Sequence, residues 1–298
     1  MSEGQRRALD SMLRAGRKHA PKSLAGLREW TERSLSVMPQ DPEVSRSDLM
    51  IGEIPAAWFE PPDALPGSAV LYLHGGAYIM GSIDSHAGLT SSLARRSSVA
   101  CLSLDYRLAP EHRFPAQLED ALAAYHWMLH TLNIPASRIV FAGDSAGAGL
   151  VLSTLCSARD AGLPLPAAAV CISPWVDLEG LGDSAVTKAE ADPMLHIADL
   201  APFRRLFLGN AHPRDPRAAP LYADLAGLPP LLIQVGENEI LLDDATRIAA
   251  RAREAGVDVT IEVWPGMVHV WHLFAPILDE GQEAINGIAE FVRGRIER

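Results

Sequence analysis

Short apolar runs alternate with longer amphipathic stretches from about residue 69 to the end of the chain. The apolar runs predict buried strands at 69–73, 99–104, 138–142, 167–172, 230–235 and 258–264. Apolar positions that recur every three or four residues predict helices at 116–129, 148–161, 245–255 and 280–295. Strand–helix alternation of this kind predicts an α/β fold with a mostly parallel sheet and helices on both of its faces.

Two segments depart from this alternation. Residues 1–47 carry apolar positions such as Leu9, Met12 and Leu13 at helical spacing, which predicts amphipathic helices, and residues 48–60 read as a strand pair. Residues 178–221 are punctuated by Gly, Asp and Pro and contain one helical stretch, 197–208. We interpret 1–47 and 178–221 as two parts of a helical cap over the α/β domain that comprises 48–177 and 222–298.

Composition limits the classes of partner. Charged residues make up 21% of the 298 positions and the net charge is −11, which disfavours nucleic acid and anionic membrane as partners. No apolar run approaches the ~20 residues of a membrane span. The N-terminus lacks the apolar core of a secretion signal, so a cytoplasmic protein is expected.

Cysteine and histidine usage bears on cofactors. The three cysteines lie in apolar contexts without C-x-x-C spacing, and no histidine pair shows metal-ligand spacing such as H-E-x-x-H. The expectation is therefore an enzyme with no metal and no cofactor.

The strongest chemical signal is the string G-D-S-A-G at 143–147. It follows the predicted strand at 138–142 and opens directly into a predicted helix. Strand, G-x-S-x-G and helix together are the layout of a nucleophile elbow, a turn so tight that small residues must flank the serine. Ser145 is therefore the candidate nucleophile, at a helix N-terminus that favours negative charge.

A serine nucleophile needs a histidine base, and in α/β-hydrolases the order along the chain is serine, acid, histidine. The histidines after Ser145 are His196, His212, His269 and His272. His269 follows a predicted strand and the turn 265–267, where loops present catalytic groups. It is the candidate base, and the other three are interpreted as surface or packing residues.

The loop after the predicted strand 230–235 offers four carboxylates for the acid. Glu237 follows the strand immediately, while Asp243 and Asp244 resemble the N-cap and first turn of the next helix. Glu239 remains at the loop apex, where it could accept the Nδ1 proton of the base. Glu239 is the preferred acid and Asp243 stays open as the alternative.

A second glycine cluster follows the predicted strand 69–73, where the chain reads H-G-G-A-Y at 74–78. Attack on an acyl carbonyl creates an oxyanion that needs backbone N–H donors, and glycine lets the main chain approach closely. The predicted donors are the N–H groups of Gly75, Gly76 and Ala146, the last being the residue after the nucleophile.

These motifs together resemble the bacterial hormone-sensitive-lipase-like, or family IV, esterases of the α/β-hydrolase superfamily, in the subfamily whose elbow reads G-D-S-A-G. The matching strings spread over residues 70 to 270 and comprise H-G-G-A-Y (74–78), D-Y-R-L-A-P-E (105–111), F-P-A (114–116), G-D-S-A-G (143–147), S-P-W (173–175), D-P-M (192–194) and E-I-L-L-D-D (239–244).

The resemblance implies an α/β-hydrolase fold and the same roles for Ser145, His269 and Glu239. Two positions depart from the family pattern: Glu239 stands where aspartate is commoner, and the oxyanion loop reads H-G-G-A rather than H-G-G-G. The resemblance also gives Asp192 an anchoring role in the cap, although the residue could equally be a simple turn former.

The function expected from the residues and the resemblance is hydrolysis of short-to-medium-chain carboxylic esters through an acyl-serine intermediate. An amide, lactone or formamide hydrolase could use the same machinery, and a non-catalytic ligand-binding homologue is the third alternative. A small-molecule ester is the expected partner. The segment 257–263 could be an exposed sheet edge, which can pair with another chain. Members of the subfamily that this chain resembles often dimerise in this way, so a homodimer is expected.

Overall fold

The computed structural model describes residues 3–296, which form one sheet covered by helices. The strands are β1 (Ser45–Ile51), β2 (Ile54–Glu60), β3 (Ala69–Leu73), β4 (Ala100–Leu104), β5 (Ile139–Asp144), β6 (Ala168–Ile172), β7 (Leu231–Gly236) and β8 (Val259–Trp264). The helices are α1 (Glu3–Lys18), α2 (Leu24–Leu35), α3 (Ile83–Ser97), α4 (Ala116–His130), α5 (Ala146–Asp160), α6 (Ser184–Thr187), α7 (Ile197–Leu208), α8 (Leu242–Glu254) and α9 (Asp279–Ile296).

The sheet has the order β1-β2-β4-β3-β5-β6-β7-β8. The β1–β2 hairpin is the strand pair predicted at 48–60, and β2 joins β4 in antiparallel fashion. From β4 onward every pairing is parallel, as strand–helix alternation predicts. The α/β-hydrolase fold expected from the sequence is thereby confirmed.

The central strands are buried on both faces, because helices cover each side of the sheet. Leu71 and Phe141 face a core shared with α4, α5 and α8, whereas their neighbours Val70 and Val140 face a second core shared with α3 and α9. Successive side chains on a strand point to opposite faces, so a strand between two helical layers must be apolar throughout. This explains why the strands appear in the sequence as continuous apolar runs.

Helix α3 is the main element that the hydrophobic pattern does not reveal. Its buried face includes Ser85, His86, Thr90 and Ser91 between the apolar residues, so no clear apolar stripe marks it. The helix begins at a capping box in which Ser82 and Ser85 satisfy each other's backbone N–H groups. His86 and Ser91 have partners that only the folded protein supplies, Asp144 and the backbone N–H of Asp41, whereas Thr90 Oγ1 meets no partner among the described residues.

Segment 178–221 contributes α6, α7 and loops, and it contacts the N-terminal helices. The Arg14 guanidinium of α1 donates to the carbonyl oxygens of Glu190 and Ala191. Helix α7 packs on the loop after β3 through Phe207, whose ring stacks on that of Tyr78 with 3.8 Å between centroids. None of the helices within 3–296 combines the length and the apolar character needed to cross a bilayer.

Candidate active site

Ser145 lies between the end of β5 and the start of α5, in a backbone conformation that few side chains adopt. Its φ is 53° and its ψ is −119°. The flanking glycines are required by contact: a Cβ on Gly147 would lie 2.0 Å from the carbonyl oxygen of Leu73, and one on Gly143 would lie 2.6 Å from the same atom. The elbow is therefore pressed against the end of β3, where the second glycine cluster begins.

The residues predicted for the triad lie in one hydrogen-bonded chain. The Nε2 atom of His269 is 3.0 Å from Ser145 Oγ, and its Nδ1 atom is 2.8 Å from Glu239 Oε2. His269 and Glu239 are buried, whereas Ser145 stays partly accessible. A serine hydroxyl, an imidazole and a buried carboxylate in this order form the arrangement that activates a serine nucleophile.

The other carboxylates of the acid loop accept hydrogen bonds from residues other than His269. Asp243 accepts the backbone N–H of Ser184, and Glu237 accepts that of Gly266 at the surface. Asp244 accepts the backbone N–H groups of Val176 and Asp177. Only Glu239 in this loop is within hydrogen-bond distance of His269.

The N-cap position expected among Asp243 and Asp244 is wrong, whereas the first-turn position is confirmed. Helix α8 begins at Leu242, earlier than predicted, and its cap residue Leu241 makes no side-chain cap. Both aspartates lie in the first turn, where their charge suits the helix dipole, but their oxygens are taken by backbone groups of 176–184.

Glu239 sets the charge state of the base. Burial alone would lower the pKa of the His269 imidazole, but the hydrogen bond and negative charge of Glu239 outweigh burial, so the pKa lies above its ordinary 6.5. A base of raised pKa accepts the serine proton more readily, provided that the pH leaves it neutral.

Ser173 contacts the acid Glu239 and the backbone next to the base His269, and sequence reasoning missed it. Its Oγ donates to Glu239 Oε1 at 2.7 Å and accepts the backbone N–H of Val270, the residue after His269, at 3.2 Å. Glu239 Oε1 also accepts the backbone N–H of Gly236 at 2.6 Å. The string S-P-W at 173–175 marked this position, but nothing in the sequence indicated its role.

The predicted oxyanion loop requires a correction. The N–H of Gly75 donates to the Asp144 carboxylate at 3.0 Å and is therefore not available to a substrate. By contrast, the N–H groups of Gly76, Ala77 and Ala146 meet no acceptor among the residues that the structure describes. Gly76 and Ala77 both have positive φ, 115° and 54°, so the chain coils tightly there. The available donors lie one residue further along the loop than the sequence predicted.

Asp192 ties the segment 178–221 to the acid loop. Its Oδ2 accepts the backbone N–H of Ile240, next to Glu239, at 3.0 Å, while its Oδ1 accepts those of Met194 and Leu195. The two roles left open for it, turn former and anchor, are both present in its contacts.

A buried aromatic cluster adjoins the elbow through the main chain. The backbone N–H of Trp175 donates to the carbonyl oxygen of Ser145, and the Trp175 ring lies 6.2 Å from that of Tyr78. The Tyr78 ring in turn stacks on that of Phe207, and all three residues are almost fully buried. The cluster therefore connects α7 with the loops that follow β3 and β6.

The remaining candidate histidines lie away from Ser145. His196 precedes α7, and His212 accepts the backbone N–H of Arg214 at the surface. His272 is buried beside Gln234, and burial lowers its pKa to about 3. No group of three or more metal-binding side chains occurs between residues 3 and 296, and the three cysteines are free and buried.

Comparisons with known proteins agree on one family. The sequence profile of a family described by its alpha/beta hydrolase fold matches residues 70–273. An acetyl-hydrolase of Streptomyces hygroscopicus is 48% identical over 245 residues, which cover 82% of this chain and 81% of the relative. An ethyl acetate hydrolase of Pseudomonas putida is 34% identical, with 80% and 77% covered. The crystal structure of an esterase from the bacterial hormone-sensitive lipase family superposes with a TM-score of 0.96 at 45% identity, over 99% of both chains.

Proposed function

Because this chain belongs to the hormone-sensitive-lipase-like esterases of the α/β-hydrolase superfamily and is a carboxylic ester hydrolase, we propose that Ser145, His269 and Glu239 are its catalytic triad. The observation that carries the proposal is the continuous chain of hydrogen bonds from Ser145 Oγ through the imidazole to Glu239, at 3.0 and 2.8 Å.

In the first half-reaction, Ser145 Oγ attacks the ester carbonyl while His269 Nε2 takes its proton. Glu239 holds the Nδ1 proton of the ring, fixes the tautomer in which Nε2 is free to accept, and stabilises the imidazolium that forms. His269 then gives the proton to the departing alcohol. In the second half-reaction it activates water, which releases the acid from Ser145.

The oxyanion of each tetrahedral intermediate accepts hydrogen bonds from the N–H groups of Gly76, Ala77 and Ala146. The three groups are unpaired in the described structure, and Ala146 belongs to the elbow itself. Donors that are fixed before the reaction need no reorganisation when charge develops, which is why loss of one such donor costs on the order of 10²–10³ in kcat.

The substrates are esters of short acyl chains. Trp175, whose backbone N–H donates to the Ser145 carbonyl oxygen, belongs with Tyr78 and Phe207 to a buried aromatic cluster, and a long acyl chain could enter there only by displacing a packed ring. The names of the relatives, an acetyl-hydrolase and an ethyl acetate hydrolase, refer to acyl groups of two carbons and support the same substrate class.

The test is hydrolysis of p-nitrophenyl esters from acetate to palmitate by the wild type, Ser145→Ala and Ser153→Ala. Ser153 is the matched control, because it is a buried serine of the same helix whose Oγ has no partner in the described structure. We expect a maximum at acetate or butyrate, loss of turnover in Ser145→Ala and near-normal rates in Ser153→Ala. A maximum at palmitate would refute the short-chain proposal, and turnover by Ser145→Ala would refute the nucleophile.

Residues 1–47 and 178–221 act as the cap over this site. Arg14 joins the two segments, Asp192 joins the second segment to the acid loop, and Phe207 packs against Tyr78.

We place the enzyme in the cytoplasm, where thiols stay reduced, because its three cysteines are free.

The enzyme forms a homodimer through β8. Within residues 3–296 this strand pairs only with β7 and ends the sheet, and Val263 on it is 44% exposed. An unpaired edge of this kind is a template for pairing with another chain. Light scattering should give twice the chain mass, and a mass of one chain at micromolar concentration would exclude the dimer.

A further inference from the structure

Asp144 joins the two loops that carry the proposed nucleophile and oxyanion donors. It immediately precedes Ser145, and its Oδ1 accepts both the Tyr72 hydroxyl at 2.7 Å and the Gly75 N–H at 3.0 Å. The fit is tight, because a Cβ on Gly75 would lie 2.2 Å from Asp144 Oδ2. One carboxylate thus fixes the start of the oxyanion loop relative to the elbow.

The other oxygen of this carboxylate faces His86, a buried residue of α3. His86 Nε2 lies 3.4 Å from Asp144 Oδ2. Its Nδ1 lies 2.9 Å from Ser85 Oγ, and that hydroxyl donates its own proton to the carbonyl oxygen of Ser82. When the single Ser85 proton goes to the Ser82 carbonyl, Nδ1 donates to Ser85 Oγ, and with Nε2 directed at Asp144 both ring nitrogens carry hydrogen. That arrangement makes His86 a cation.

The charges around His86 agree with this assignment. Burial alone would lower the pKa of His86, but the Asp144 charge and hydrogen bond outweigh burial and raise it. The neighbouring His74 ring, 5.5 Å away between centroids, stays neutral, because burial and then the charge of His86 lower its pKa to about 3. One cation therefore neutralises the one buried carboxylate that touches the oxyanion loop.

We propose that His86 is a positioning residue for ester hydrolysis: as the buried cation beside Asp144, it holds that carboxylate against Gly75 and thereby fixes the N–H groups of Gly76 and Ala77 relative to Ser145. The inference rests on the proposed function, because it assumes that these N–H groups bind the oxyanion. It extends the machinery to α3, an element that contributes nothing to the triad.

The tests are His86→Leu, which removes both donors, and His86→Gln, whose amide can still donate to Asp144. Tyr72→Phe is a third variant that removes one other donor to the same carboxylate and leaves the packing intact. His272→Gln is the burial-matched control, since His272 is a buried neutral histidine that contacts Gln234 instead of Asp144. Each is assayed with p-nitrophenyl butyrate and with a trifluoromethyl ketone, which forms a tetrahedral adduct with serine.

We expect His86→Leu to lower kcat by about 10- to 100-fold with KM within threefold, because the oxyanion donors act in the transition state. Affinity for the trifluoromethyl ketone should fall by the same factor. His86→Gln should recover part of the loss, Tyr72→Phe should lose about threefold to tenfold in kcat, and His272→Gln should change kcat by less than threefold.

The proposal is overturned if folded His86→Leu keeps the wild-type kcat, or if its losses lie in KM alone. If His86→Leu fails to fold, His86→Gln and Tyr72→Phe decide: unchanged kcat and unchanged ketone affinity in both would overturn the proposal. Failure of the proposed function is distinguishable, because it would appear as turnover by Ser145→Ala whatever the result for His86.

Discussion

The sharpest test of the site is Glu239→Gln, because the surroundings of this side chain dictate which way the new amide must face. Oε1 accepts from two donors, Gly236 N–H at 2.6 Å and Ser173 Oγ at 2.7 Å, while Oε2 accepts from His269 Nδ1. A glutamine can satisfy the two donors only with its oxygen on their side. Its NH₂ group must then face His269.

The amide introduced by Glu239→Gln holds the base His269 in the wrong tautomer. An NH₂ group opposite Nδ1 makes that atom an acceptor, so the ring proton moves to Nε2, which faces Ser145 and can no longer take its proton. In a serine protease an amide in place of the acid lowers kcat by about 10⁴-fold, which corresponds to about 5 kcal/mol of barrier. We expect about 10³- to 10⁴-fold for Glu239→Gln, with a far smaller change in KM.

The assay is steady-state hydrolysis of p-nitrophenyl butyrate by Glu239→Gln, Glu239→Asp and Asp243→Asn. Glu239→Asp keeps the charge but shortens the side chain by one methylene, so we expect an intermediate loss of about 10- to 100-fold. Asp243→Asn is the control for the same loop and should stay within about threefold, because its carboxylate contacts Ser184 and not the base. A Glu239→Gln rate within tenfold of wild type, or a greater loss in Asp243→Asn, would refute the tautomer argument.

Three further predictions follow from the same contacts. The acid limb of kcat/KM should lie above pH 6.5, because the pKa of His269 is raised and only the neutral ring acts as base; a pH–rate profile with its midpoint below 6.5 would contradict this. Ser173→Ala should lower kcat by about 10- to 100-fold, since it removes a hydrogen bond to a buried carboxylate worth about 1.5–3 kcal/mol; equal kcat values in a folded variant would rule out a supporting role. Asp244→Asn should gain stability relative to the wild type as the pH rises from about 4 to 7, by about 1.4 kcal/mol per pH unit. The reason is that burial raises the pKa of folded Asp244 to about 7, so over that range the unfolded wild type ionises while the folded protein keeps its proton, which lowers the wild-type unfolding free energy; a pH-independent difference in urea unfolding free energy would show that the shift is absent.

Sequence reasoning worked best where one local pattern carries the information. Continuous apolar runs identified the strands because strands between two helical layers are apolar on both faces. The G-x-S-x-G string identified the elbow because a tight turn needs glycine on either side of Ser145, and the contacts of Gly143 and Gly147 with the Leu73 carbonyl show why. The order of the later loops, together with the family resemblance, pointed to His269, but it left Glu239 and Asp243 as alternatives for the acid.

Tertiary structure decided where side chains distant in sequence meet. Sequence alone could not show that Asp144 would take the N–H of Gly75, because Asp144 ends β5 and Gly75 follows β3, two strands that become neighbours only in the folded sheet. Helix α3 escaped detection for the same reason, since the partner that makes burial of His86 favourable is Asp144, 58 positions away. Periodicity and turn chemistry are local properties that a sequence determines by itself, whereas the pairing of buried polar groups depends on which elements pack together.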